Sequence, residues 1–453
     1  MRRLLAVLLF SGAITAQEVI TEAKVKAIVS YLASDELAGR DSPSPGLEAA
    51  AKYIADHFAA AGLQQVANDS WFHGYQLPGL RLDSTTIVLK VRREQGEKGE
   101  KTEQKEAKDL QADTEVRLYR AGDSIGEDDQ VATVASAGDA RTDRLLMNPG
   151  SRRPMLLEID TADPRWASSQ GVHSLLGKGR QGGRPVFLVK KGALPPGDPN
   201  AEDAHYVVNY KITAPQPADV ELKNVVGLLR GSSKPEEYVL VSAHYDHIGI
   251  GMPIDGDAIN NGADDDASGT TAVVLLAEAL AKQPRPARSV LFVCFSAEEK
   301  GLRGSRAFAE RPPVPLEQVV ANVNIEMIGR PDADKHQQAW ITGPDYSDFA
   351  AIAGPALHRA GIELVGFDMA KALFAASDNY SLAQKGVVAH SISAGSLHAD
   401  YHRPSDEVAK LQLPHMTAVI KGLREVVREF AEREQRPAYN DAGRKVLERA
   451  GRR

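Results

Sequence analysis

The chain has 453 residues, too many for one ordinary hydrophobic core, which points to a main domain plus an insert or second domain. Its 43% hydrophobic and 25% charged residues are those of a soluble globular protein. A net charge of -7 leaves no basic footprint for nucleic acid, and mild acidity says little about a substrate.

At the N-terminus, Arg2 and Arg3 precede the apolar run Leu4 to Ile14, which ends among small residues at Ala16. Basic flank, short apolar run and small-residue exit together predict a signal peptide over residues 1–16, cleaved after Ala16, and a periplasmic or secreted mature protein. The run is too short to span a bilayer comfortably, and no later segment is long and apolar enough, so stable membrane insertion is not expected.

Residues 17–75 are predicted to be helical. Val25, Ile28, Val29 and Leu32 recur at helical spacing, as do Leu47, Ala51, Ile54, Ala55 and Phe58, with Gly62 as a C-terminal cap and Ser42 to Pro45 as the turn between them. Residues 76–220 lose this rhythm. Strands are predicted at Ile87 to Val91 and Val186 to Lys190, and 92–108 is a run of Lys, Glu, Gln and Gly with too few apolar residues to fold alone. The stretch reads as an inserted, mostly β region with a mobile charged segment.

From Asn224 strands and helices alternate. Strands are predicted at Asn224 to Leu229, Tyr238 to Ser242, Ser289 to Phe295, Val319 to Met327, Ala339 to Thr342 and Val387 to Ile392. Helices are predicted at Gly269 to Ala281, Leu302 to Ala309, Tyr346 to Ala360 and Leu413 to Glu432. Fully apolar strands separated by helices imply an α/β fold with a mixed, largely parallel central sheet covered by helices on both faces. Such sheets bind ligands outside the carboxyl ends of their strands. The main domain is then 17–75 with 221–432, and 433–453 is a basic tail. The single cysteine, Cys294, lies in an apolar strand and cannot form a disulfide within the chain, so it reads as a small buried hydrophobe.

Polar residues follow each of these strands. Tyr238 to Ser242 is followed by Ala243-His-Tyr-Asp-His247, and the helix Gly269 to Ala281 is preceded by Asn261-Gly-Ala-Asp-Asp-Asp-Ala-Ser268. Ser296-Ala-Glu-Glu299 follows the next strand, Glu326 ends the one after, and His398-Ala-Asp-Tyr-His-Arg-Pro-Ser-Asp406 precedes the last long helix. Each piece alone is weak, because carboxylates commonly cap helices. Five consecutive junctions presenting His, Asp or Glu to one rim would be repulsive unless cations sat among them. Mixed imidazole and carboxylate ligation without thiolate suits zinc, with cobalt or manganese as lesser fits.

These residues resemble the zinc-dependent aminopeptidases of the M28 type, a family that also includes prostate glutamate carboxypeptidases and, at greater distance, glutaminyl cyclases. The resemblance covers about residues 224–430, and Leu32 to Arg40 looks like the family's lead-in. It implies a zinc-peptidase fold holding two zinc ions and acting on peptides. His244 and Glu326 would bind the first zinc, Glu299 and His402 the second, and Asp265 would bridge both. Glu298 would be the general base, Tyr401 the hydroxyl that stabilises the oxyanion, and Asp246 the carboxylate that fixes the His244 tautomer. Two departures stand out: Glu326 where the family most often has Asp, and Asp266 where it commonly has Asn. A cis peptide at Asp265–Asp266 is also implied.

Other residues are open. Ser377 and Asp378 match a family segment near the substrate, or cap a helix. Asp406 either holds His402 or caps the final helix. His247 reads as second to the ligands or solvent-facing, and His390 as a satisfied core histidine. Asp255 and Asp257 with their glycines offer the hard oxygens of a structural calcium site. The alternatives to an aminopeptidase are a carboxypeptidase or dipeptidase on the same scaffold, with Arg330 and Lys371 as candidate carboxylate binders, a glutaminyl cyclase, and a non-catalytic receptor-like ectodomain. Oligomeric state is not legible.

Overall fold

The computed structural model describes residues 18–95, 107–120, 128–136, 153–176, 184–196, 204–213, 215–332 and 335–450. Residues 1–17, where the sequence predicts a signal peptide over 1–16, and residues 96–106 of the charged segment lie outside the described residues. Among the described residues, no helix is long and apolar enough to cross a membrane.

Two helices open the fold as their periodicity predicts. Glu22–Leu32 begins where the Thr21 side chain accepts from the Lys24 N–H, and buries Val25, Ile28, Val29 and Leu32. Pro45–Ala60 begins with Ser44 capping the Leu47 N–H and Pro45 in the first turn, where its missing N–H costs nothing. Gly62 closes it at φ +75°, a conformation that L side chains resist.

The main sheet has nine strands. Its order across the sheet is Glu363–Leu364, Gln338–Ile341, Ala389–Ser393, Val319–Ile325, Lys234–His244, Arg288–Phe295, Gln216–Leu229, Phe72–Asp83 and Val172–Leu176. The four strands from Ala389–Ser393 to Arg288–Phe295 are mutually parallel. Gln216–Leu229, Phe72–Asp83 and Val172–Leu176 add antiparallel pairs on one side. Three of the parallel strands are buried along their whole length and Lys234–His244 from Tyr238 onward, which is what covering on both faces requires. Gly269–Ala281 and Leu413–Glu432 pack together against the central strands, and Arg303–Glu310 with Asn379–Ala383 form a second helical layer. Both long helices have the bounds their apolar periodicity predicts. Cys294 is buried in the core, where desolvation pushes its thiol up.

The inserted region forms a second, seven-stranded sheet that runs in sequence from Val88–Gln95 to Ala204–Lys211. Its core is small and apolar, built around Leu89, Val91, Leu156, Phe187, Val189, Val208 and Tyr210. The strands that lead out and back, Phe72–Asp83 and Gln216–Leu229, belong to the main sheet, pairing from Phe72 with Val225 to Arg81 with Gln216. One strand from inside the region, Val172–Leu176, also joins the main sheet, at its edge. Within the segment read as a tail, Asp441–Ala450 is a helix and Tyr439 is buried, its hydroxyl donating to the Val387 carbonyl at 2.9 Å.

Candidate metal centre

The parallel arrangement brings the strand ends to one rim. His244 is the last residue of Lys234–His244 and pairs with Phe295, so Ser296 to Glu299 emerge beside it. Ser242 pairs with Asn324, which places Glu326 one step past the neighbouring strand. A chain of buried polar groups supports that end. Asn322 donates to the Ser242 hydroxyl at 2.9 Å, and Ser242 donates to Asn324 Oδ1 at 2.7 Å. Asn324 donates to Ser377 Oγ at 2.9 Å, and Ser377 donates to Glu326 Oε2 at 2.5 Å. Ser377 therefore orients Glu326.

All five residues expected to bind metal converge. His244 Nε2 lies 3.2 Å from Asp265 Oδ1 and 3.2 Å from Glu326 Oε1. His402 Nε2 lies 3.2 Å from Asp265 Oδ2 and 3.2 Å from Glu299 Oε1. Asp265 thus turns one oxygen to each imidazole. Asp266 lies close to His244 and Glu326, while His247 joins Asp265 and Glu299, each trio offering ligand atoms within 4.8 Å of one another. Asp266 is a brace, since its oxygens accept from the backbone of His244, Gly269 and Met327 at 3.0 to 3.3 Å. The Asp265–Asp266 peptide is cis, as the resemblance implies.

Two supporting roles differ from expectation. The His244 Nδ1–H donates to the main-chain carbonyl of Asp246 at 3.0 Å, whereas the Asp246 carboxylate is 3.8 Å away. The carbonyl fixes the tautomer and leaves Nε2 free to bind metal, while the carboxylate accepts from the Glu298 N–H at 3.0 Å. Asp406 neither reaches His402 nor caps the final helix. It accepts from the backbone N–H groups of Asp264 and Asp265 at 3.1 to 3.2 Å and so positions the bridging carboxylate.

Arg40 is a residue whose role sequence reasoning missed. Its fully buried guanidinium donates to the carbonyls of Tyr245 (2.8 Å), Asn261 (2.8 Å) and Gly262 (3.2 Å), and to that of Leu32. Burial lowers its pKa to about 10, against the pull of Asp246, Asp265, Asp406 and Asp266. A fixed cation therefore sits beneath the acidic rim. The signal available was only the Gly39-Arg40 pair at the end of the lead-in.

The donor set fits divalent cations. Asp265 Oδ2, Glu299 Oε1 and both ring nitrogens of His247 are buried without a hydrogen-bond partner, a costly arrangement in the absence of a cation. Burial would lower His244 and His402, but the surrounding carboxylates raise both, His402 to about 10. Burial would likewise raise Asp265 and Glu299, yet the imidazoles hold Asp265 well below the usual carboxylate range and lower Glu299. Glu298 is different: burial, reinforced by Asp378, Glu326 and Glu299 and opposed by His244, raises its carboxyl well above the usual range.

Tyr401 is partly exposed and its ring stacks on His402 at 3.8 Å between centroids. His390 is a satisfied core histidine, with Nδ1 2.7 Å from the Thr342 carbonyl and Nε2 2.7 Å from Ser347 Oγ. Burial lowers its pKa to about 4. Asp378 stands at the start of Asn379–Ala383 without a side-chain capping bond. Asp255 and Gly256 form the exposed turn of the hairpin Gly249–Ile254 and Asp257–Asn260, and Asp257 accepts from the Ile259 N–H. Neither aspartate belongs to a ligand cluster among the described residues. Arg330 is paired with Asp400 at 3.0 Å and Lys371 with Asp345 at 2.8 Å.

Residues 224–427 match the family model described as Peptidase family M28. A probable zinc metalloprotease of Leptosphaeria maculans is 32% identical over 152 residues, 32% of this chain and 35% of that protein. Aminopeptidase YwaD of Bacillus subtilis is 23% identical over 224 residues, 48% of this chain and 46% of the other. The chain therefore spans less than half the length of these curated relatives. Among solved structures, a zinc aminopeptidase from Bacillus subtilis aligns over 92% of this chain and 97% of its own at 16% identity, TM-score 0.52. A peptidase M28 precursor from Shewanella amazonensis aligns over 93% and 96% at 16% identity, TM-score 0.50. At such identity the likeness is one of fold.

Proposed function

We propose, from the premise that the chain carries a peptidase domain of family M28 over residues 224–427, that it is an exported aminopeptidase holding two zinc ions. The observation that supports this most strongly is Asp265, whose two oxygens face His244 and His402 separately at 3.2 Å. His244, Asp265 and Glu326 would hold one zinc, and Asp265, Glu299 and His402 the other. When bound, they would supply Lewis acidity to the peptide carbonyl and acidify a water.

The protein's own groups would then move protons. Glu298 stands next to a ligand, and its backbone N–H is anchored on Asp246. A part-buried carboxylate at this position can take a proton from water and return it to the leaving amine. Tyr401, held by stacking on His402, would donate its hydroxyl to the developing oxyanion. The carboxypeptidase alternative has less behind it: Lys371 is paired with Asp345, and Arg330 is paired with Asp400 through Nη2, leaving Nη1 without a partner among the described residues. A non-catalytic ectodomain would have no use for a complete set of convergent ligands.

The test is a hydrolysis screen of matched peptides with free and acetylated N-termini, run beside zinc analysis by mass spectrometry. The expected outcome is two zinc ions per chain and cleavage confined to free N-termini. Equal cleavage of blocked peptides would overturn the aminopeptidase reading, and a zinc-free active protein would overturn the metal reading.

A further inference from the structure

His247 is fully buried, and neither ring nitrogen has an aligned hydrogen-bond partner; the part-buried His398 beside Asp264 shares the second property but not the first. A fully buried imidazole without an aligned hydrogen bond is costly unless a nitrogen is used otherwise. Its Nδ1 lies 2.9 Å from Glu299 Oε1 and 3.8 Å from Asp265 Oδ2. Those are the two orphaned oxygens that His402 Nε2 also faces. The two imidazoles meet edge to face with centroids 5.6 Å apart, so their nitrogens approach the same oxygens from different sides.

The local backbone holds this placement. The His247 N–H donates to the Arg40 carbonyl at 3.2 Å. Gly262, at φ +56°, stands against the ring: a Cβ there would come within 2.6 Å of His247 Cγ and Cδ2. The turn leading to the bridging aspartate therefore has no side chain where the ring must fit.

We infer that His247 is a fourth protein ligand of the second zinc, joining Asp265, Glu299 and His402. This rests on the two-zinc reading and goes beyond it by making the ions unequal. The first ion would have three protein ligands, His244, Asp265 and Glu326, and keep an open position, as catalytic zinc sites do. The second would have two imidazoles and two carboxylates, one more protein ligand than the first and so the more tightly held ion. The first is then the ion that exchanges, and the second the one that keeps the rim assembled.

Two measurements test this on the full-length protein. X-ray absorption at the zinc edge of the wild type counts imidazoles directly: three shared between two ions are expected, and two would overturn the inference. Graded chelation followed by zinc analysis should show two release steps in the wild type. In His247→Ala the tighter step should weaken by at least about 10–100-fold, the range commanded even by groups behind the ligands, while the looser step stays in place. Two unshifted steps, or equal weakening of both, would overturn it. The absorption measurement needs no variant and stands even if His247→Ala does not fold. A wild type that holds fewer than two zinc ions would overturn the two-zinc reading as well, so the two failures are distinguishable.

Discussion

The rim of the nine-stranded sheet and the seven-stranded sheet inserted ahead of it are both well-packed β structure, yet they bury different things. The insert's main core is apolar side chains with an edge-on ring contact between Phe187 and Tyr210. The rim places Asp246, Asp265, Asp266, Asp378 and Asp406 out of solvent beside His244, His247 and Arg40. Both convergent His and carboxylate trios among the described residues belong to the rim. Apolar burial stabilises a fold, whereas buried charge costs stability unless something pairs it. The insert buries the arginines Arg117, Arg165 and Arg184 but, among the described residues, no convergent carboxylates, so the contrast lies in the His and carboxylate trios, and each prediction below either separates the two regions or makes them alike.

The largest effect belongs to Glu298. Glu298→Gln should keep both zinc ions and lose on the order of 10²–10⁴ in kcat, because the amide cannot move a proton. Zinc analysis and steady-state kinetics on one preparation decide it. Near-normal turnover would remove Glu298 from the proton-transfer role and leave the rim without an identified base.

Next is Arg40, which compensates the rim from below. Arg40→Leu should cost the metal-free protein about 3–5 kcal/mol, the usual result of stranding buried charges by removing one partner. Urea unfolding in chelator measures this, and saturating zinc should narrow the deficit because it supplies positive charge to the same carboxylates. If the variant were as stable as the wild type without metal, the carboxylates would not depend on Arg40.

The complementary experiment strikes the insert. Leu156→Ala removes a fully buried side chain from the second core and should cost about 2–5 kcal/mol. Zinc content and hydrolysis of a small amino-acid anilide should stay within about twofold of wild type, since the perturbation shares no partners with the rim. A large fall in kcat in folded protein would mean that the insert takes part in the chemistry and that the contrast is wrong.

The rim was legible in sequence for a physical reason that does not apply to the insert. Parallel strands buried on both faces read as apolar runs, and the residue after each run must lie at the carboxyl rim. His244, Glu299 and Glu326 could therefore be placed from strand ends, and Gly269–Ala281 and Leu413–Glu432 from their periodicity. His247 was not legible because a loop residue three positions past a ligand has no periodicity to aim it. Its direction depends on Arg40 and Gly262, which are far away in sequence. Asp406 was named but its role was misread for the same reason, its partners being backbone N–H groups more than a hundred residues earlier. In the insert, short strands are joined in an order that apolar content does not encode. The strand Val172–Leu176 leaves that sheet for the edge of the other, and its side chains show no buried face to announce it.

The smallest effect lies away from both regions, where Glu278 ties three helices together. Its carboxylate is 2.8 Å from His57 Nδ1 and 2.5 Å from Lys24 Nζ, with the side chain 13% exposed. Burial alone would raise its pKa, but the hydrogen bonds and charges of His57 and Lys24 prevail and lower it from 4.5 to about 2. A carboxyl depressed in the folded state contributes stability that is complete above its unfolded pKa and is lost as pH falls towards the folded value. Between pH 7 and pH 3, the advantage of wild type over Glu278→Gln should therefore shrink from roughly 1–2 kcal/mol at neutral pH, a figure discounted for solvent screening. Urea midpoints of the two proteins across that range measure it. A gap that stays constant with pH would show that Glu278 acts through packing and not through its charge.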